Sequence, residues 1–193
     1  MGTSIKRSIG IRVACAIIGV LLFSVVTTVN IIRIQDTQDA SGQARNVLDH
    51  AQAAETAHYK WAANLSNALY AGTEFTGSMD HTGCVLGKWL YSELGMENTT
   101  LEQLRAEIEP LHRQLHESAS TALSLLAADP AQAQAYYQET IQANLTTLVG
   151  KLDDVIALGT ALNEASTEEM NSTIMLMQGI TAVCLVLALV CLI

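Results

Sequence analysis

The chain has 193 residues, half of them hydrophobic, with only two prolines and a formal net charge of −9. A composition this apolar and this poor in proline points to one mostly helical domain plus membrane segments. The acidity disfavours nucleic acid as a partner.

Residues 1–12 hold Lys6, Arg7 and Arg12 with no acid nearby, which the positive-inside rule places in the cytoplasm. Residues 13–32 follow as twenty residues without a charge. At a rise of about 1.5 Å per residue, a helix of this length spans a hydrocarbon core of roughly 30 Å. The run is too long for the apolar region of a secretory signal and no cleavage-like site follows, so it reads as an uncleaved anchor. Residues 174–193 form a second apolar run of twenty residues. The expected result is two transmembrane helices flanking residues 33–173, with that stretch outside a bacterial cytoplasmic membrane. Seven basic residues against 19 acidic ones leave the stretch at −12. Ending at the second span, the chain reads as the front end of a longer protein whose cytoplasmic part is absent.

Within residues 33–173 helix signals dominate. Val47, Leu48, Ala51, Ala54, His58, Trp61, Leu65, Ala68 and Leu69 recur at steps of three and four, predicting a first helix that ends near Gly72. Residues 72–83 are rich in Gly, Thr and Ser and read as a loop. A short helix is predicted from Cys84 to Leu94, closed by Gly95 in a left-handed conformation. Asn98 and Thr99 are candidate caps for the next helix, with Thr99 and Glu102 at capping-box spacing. That helix is expected to run to Ala128 with a kink at Pro110. Asp129-Pro130 then opens a final helix that continues into the second span. The predicted fold is all-α: an antiparallel four-helix bundle with an additional short helix, flanked by two transmembrane helices. Four N-x-[ST] sequons, at Asn64, Asn98, Asn144 and Asn171, carry no expected modification, since three fall inside predicted helices.

Three of the four cysteines, Cys15, Cys184 and Cys191, lie in the spans, so Cys84 has no partner for a disulfide in the intervening domain. A lone thiol there suggests intermolecular pairing, a reactive site, or a metal that holds it as thiolate. His112 and His116 are four apart and share a helix face; His58 lies on the core stripe of the first helix. Together with Cys84 at the start of the short helix, they make a full tetrahedral set for Zn2+. A filled shell leaves no position for a reactive water, so no enzymatic activity is expected. Taken singly, each residue has a plainer reading: His-x-x-x-His arises by chance, His58 suits a satisfied core position, Cys84 suits a small buried hydrophobe, and Trp61 and Trp89 suit core packing. His81, three residues before Cys84, is the rival ligand, and His50 reads as surface or core. Glu55, Asp80, Glu109 and Glu117 are candidate acceptors for the imidazole N–H groups. Titration of the histidines near pH 6.5 would make zinc affinity fall steeply toward pH 5.

The pattern H-x2-W-x22-C-x-L-G-x-W-x22-H-x3-H, carried by His58, Trp61, Cys84, Leu86, Gly87, Trp89, His112 and His116, resembles the chemoreceptor zinc-binding domain family. The resemblance covers about Ala51 to Leu123. It implies a four-helix fold, a zinc ion on His58, Cys84, His112 and His116, and signalling through metal occupancy or oxidation of the cysteine. Many members of that family are cytoplasmic, whereas this chain places the motif between two expected spans, like the sensory domain of a transmembrane chemoreceptor. A homodimer is the expected assembly. The alternative function is a four-helix sensor for a small organic ligand, with any metal only structural.

Overall fold

A computed structural model describes residues 2–192; Met1 and Ile193, at the outer ends of the expected terminal segments, lie outside the described residues, as does the side chain of Cys191. The described residues are all-helical, without a strand. Helix α1 runs over Gly2–Ala71, α2 over Val85–Leu90, α3 over Thr99–Ala128, α4 over Pro130–Tyr136 and α5 over Gln142–Leu192, with a π-helical segment at Tyr137–Ile141 between the last two. The chain divides into two compact units.

One unit comprises residues 43–162. Its core draws Val47, Ala54, Trp61 and Leu65 from α1, Leu86 and Trp89 from α2, Leu101, Ile108, Leu115 and Ala119 from α3, and Leu148, Leu152 and Val155 from α5. These positions follow the three- and four-residue steps read in the sequence, because each helix of this unit hides one apolar stripe and solvates the rest. Helix α1 stops where expected: Gly72 takes φ +67°, the left-handed conformation that ends a helix at little cost to glycine. Asp129 caps α4 by accepting from Ala131 and Gln132 N–H at 3.0 and 3.2 Å, with Pro130 behind it. Gly159 brings α5 against α1, where its missing side chain leaves room for the Ala44 carbonyl and Leu48.

Two local expectations are corrected, the end of α2 and the unbroken helix from Pro130. Helix α2 ends at Leu90 instead of Leu94, and Gly95 does not adopt a positive φ. Arg105 of α3 does the terminating work, since its Nη2 donates to the carbonyls of Trp89, Leu90 and Ser92 at 2.7, 2.5 and 2.7 Å. A cation there satisfies orphan carbonyls and opposes the negative end of the helix dipole. Of the two candidate caps, Asn98 is the one that closes the start of helix α3, its Oδ1 accepting from Leu101 N–H at 2.9 Å. That helix runs helical across Pro110. The expected single helix from Pro130 is interrupted by the π segment, where Tyr137 turns inward and donates its hydroxyl to the Ala62 carbonyl at 3.0 Å.

The other unit comprises residues up to 42 and from 163 onward. Ser41 Oγ donates to Asn163 Oδ1 at 2.8 Å, and Thr37 and Asn30 are buried. Both α1 and the α4–α5 stretch contain segments long and apolar enough to cross a membrane. Those segments leave large apolar side chains such as Val20, Leu22, Leu185 and Val186 exposed.

Candidate metal centre

The site is built from three helices of the unit spanning residues 43–162. Helix α1 supplies His58 from its core stripe. Helix α3 supplies His112 and His116 one turn apart, and Cys84 is the N-cap of α2. All three imidazoles are buried, each 2% exposed or less, and Cys84 is half-buried. One ligand atom from each of the four lies within 4.8 Å of the others.

The hydrogen bonds fix which atoms face inward. His58 Nδ1 lies 2.7 Å from the Ala54 carbonyl, and His116 Nδ1 lies 3.0 Å from the Ser78 carbonyl. A carbonyl only accepts, so both rings carry their proton on Nδ1 and present an Nε2 lone pair. Those two Nε2 atoms are buried without a hydrogen-bond partner. His112 Nε2 sits 3.2 Å from Cys84 Sγ, while its Nδ1 is buried without a partner. Buried nitrogen lone pairs left unpaired are costly, and several of them converging beside a thiol is the arrangement a cation would satisfy.

The expected carboxylate acceptors are thus replaced by main chain. Asp80 accepts instead from Thr82, through N–H at 2.9 Å and Oγ1 at 2.7 Å, and Glu109 accepts from the Tyr91 hydroxyl at 3.0 Å. His81 does not join the cluster: its ring centroid is 6.1 Å from that of His112, stacked edgewise toward Tyr91. Its carbonyl serves the site instead, facing Cys84 Sγ at 3.6 Å. His50 is exposed and apart from the cluster.

Electrostatics prepare the site for a cation. Burial lowers the pKa of His58, despite the opposing bond to Ala54. Burial, then repulsion from neighbouring imidazolium charge, pushes His112 down to about 3; the same causes take His116 to about 4. His112 and His116 therefore stay neutral well below pH 6.5, and burial of all three rings opposes the proton competition expected from free-imidazole titration. Burial pushes the Cys84 thiol up, opposed by the backbone N–H groups of Gly87 and Leu86 at the start of α2. Gly87 N–H donates to Sγ at 3.3 Å.

Gly87 is also required sterically. A Cβ there would overlap the His81 carbonyl and press on that of Thr82, so the loop closes over α2 only because position 87 lacks a side chain. Leu86 and Trp89 anchor α2 in the core, and the Arg105 guanidinium lies 5.2 Å from the Trp89 ring centre. Trp61 was legible as a core residue, but its polar end does more: Nε1 donates to the Ser78 carbonyl at 2.8 Å, the same oxygen that meets His116.

A tetrahedral Zn2+ holds nitrogen and sulfur at about 2.0–2.3 Å, so its ligand atoms stand roughly 3–4 Å apart. Atoms already within 4.8 Å need only small rotamer adjustments to meet that geometry. Three neutral imidazoles and one thiol fit zinc by donor type as well, and four protein donors complete the shell. No curated protein and no solved structure matches the chain. Residues 58–123, the stretch that carries all four clustered side chains, match the family described as the chemoreceptor zinc-binding domain.

Proposed function

We propose that the chain is the zinc-binding sensory input part of a bacterial transmembrane chemoreceptor, with His58, Cys84, His112 and His116 holding the ion. The observation that carries this reading is the convergence of three buried imidazoles and one thiol, one ligand atom of each within 4.8 Å of the others, with His58 Nε2 and His116 Nε2 buried without a partner. The match of residues 58–123 to a zinc-binding family supports the choice of metal. The apolar stretches of α1 and α5, with exposed hydrophobic side chains and a basic N-terminal flank, support two spans of the cytoplasmic membrane with the acidic residues outside. On this reading residues 33–173 form an antiparallel four-helix bundle that pairs with a second copy, and helix displacements of about 1–2 Å pass through the second span. A closed shell makes the module a sensor and not an enzyme.

Input takes one of two forms on the same residues: metal occupancy, or oxidation of the zinc-bound cysteine. The whole chain, purified in mild detergent and analysed for metal, is expected to hold about one zinc ion. Cys84→Ser removes the anionic ligand and His112→Ala opens the shell, so both should weaken binding far more than His50→Ala or His81→Ala. Equal zinc affinity in Cys84→Ser and the parent would sink the assignment.

A further inference from the structure

The loop between α1 and α2 meets the histidines of the metal centre through the carbonyl oxygen of Ser78, and α1 holds that stretch of loop in place. Trp61 Nε1 donates to Ser78 O at 2.8 Å, and His116 Nδ1 lies 3.0 Å from the same oxygen. One turn further along α1, Asn64 Oδ1 accepts from the backbone N–H groups of Thr76 and Gly77 at 2.9 and 3.1 Å, with the Thr76 hydroxyl at 3.4 Å. The Phe75 ring packs edgewise on Trp61 with centroids 5.7 Å apart, and a Cβ at Gly77 would press into both rings. Trp61 in turn lies 5.1 Å from the His116 ring. Residues 75–78 therefore form a strap, fixed to α1 by one carboxamide and one indole, whose end fixes a histidine of the cluster.

From this geometry we infer that Asn64 is a positioning residue of the metal centre, and that its grip on the strap sets how fast metal leaves. The inference rests on the zinc reading proposed above. Its chemistry is that of an outer hydrogen bond: a carbonyl held at Nδ1 keeps the His116 proton on that nitrogen and aims Nε2 into the site. Residues 72–80 belong to no helix or strand, so they have no ladder of their own to hold that carbonyl still. Asn64 replaces the ladder with two backbone N–H bonds to one oxygen. Without it those N–H groups turn to water, the strap gains freedom, and His116 is released to rotate away from the ion. The Asn64-Leu65-Ser66 sequon is in this account a structural acceptor directed at the chain's own loop.

The test compares the full-length parent with Asn64→Ala and Asn64→Asp. Zinc content, metal-free melting temperature and the rate of zinc transfer to an excess of chromophoric chelator are measured on each. Asn64→Ala should retain one zinc per chain and a melting temperature near the parent's, yet lose zinc about 10–100-fold faster, the range seen when outer partners of metal ligands are removed. Asn64→Asp keeps an oxygen in the same place and should restore slow release. Parent-like release from Asn64→Ala, or an equally fast Asn64→Asp, overturns the strap while leaving the zinc centre standing. A parent that binds no zinc overturns the centre itself and the strap with it.

Discussion

At the scale of single residues, the site's four side chains were legible because their order and spacing carry a recognisable pattern. Their acceptors were not. The expected partners were carboxylates, but His58 and His116 are oriented by the Ala54 and Ser78 carbonyls, and a backbone oxygen has no signature in sequence. Proton competition also reads differently in the fold, since free-histidine behaviour ignores burial. With His112 and His116 pushed to about 3 and about 4, these two rings are already neutral at pH 5, and His58, lowered from its usual range by burial, joins them at pH 7 and above. Only the Cys84 thiol, raised by burial, must give up a proton when zinc enters. Zinc affinity should therefore rise by about one decade per pH unit between pH 7 and 8, a slope set by one proton. A calorimetric or chelator-competition series checks this. A slope near three or four would mean that the imidazoles are protonated in the metal-free protein and that burial does not hold them neutral.

At the scale of elements, what was legible was whatever a helix signals locally. The apolar steps of α1, the left-handed Gly72 and the Asp129-Pro130 start of α4 all depend on neighbours in sequence. The end of α2 was missed because its cap comes from fifteen residues away in chain order, on α3, where Arg105 reaches the Trp89, Leu90 and Ser92 carbonyls. The π segment at Tyr137–Ile141 was missed because its determinant lies still farther off, 75 residues away in chain order, at the Ala62 carbonyl of α1 that takes the Tyr137 hydroxyl. Arg105→Ala would take a charged donor from three carbonyls, of which that of Trp89 keeps the Ser92 hydroxyl and N–H, and remove the cation above Trp89. Charge-assisted bonds and a cation–π contact of this kind together stabilise by about 2–4 kcal/mol. Because α2 begins at Cys84, the loss should fall on the short helix and reach the metal. Thermal unfolding is expected to shift downward, and amide exchange in residues 85–90 to rise more than in α3. Exchange that rises uniformly across the core would mean Arg105 supports the fold at large rather than α2.

At the scale of the whole molecule, the question is which change at the site is the signal, since occupancy and oxidation use the same four residues. The thiol's environment separates them. In metal-free protein burial keeps Cys84 protonated, and a protonated thiol is a poor target for a two-electron oxidant. Zinc turns it into thiolate, the oxidisable form, but also draws off its electron density and occupies the lone pair that would attack. Cys84 is half-buried, bonded by Gly87 N–H and backed by the His81 carbonyl, which narrows an oxidant's approach to it. Met79, on that same loop, is 47% exposed and supplies a built-in reference for oxidant dose. These facts favour occupancy as the input. Zinc-loaded full chain treated with hypochlorous acid at fixed free zinc should form Met79 sulfoxide first, while Cys84 stays unmodified and the zinc stays bound. Mass spectrometry reads both residues, and a chelator dye reads the metal. Cys84 converted to sulfenic acid ahead of Met79, with zinc released in step, would reverse the conclusion: the same helix start that presents a ligand to zinc would then be the trigger that lets α2 go.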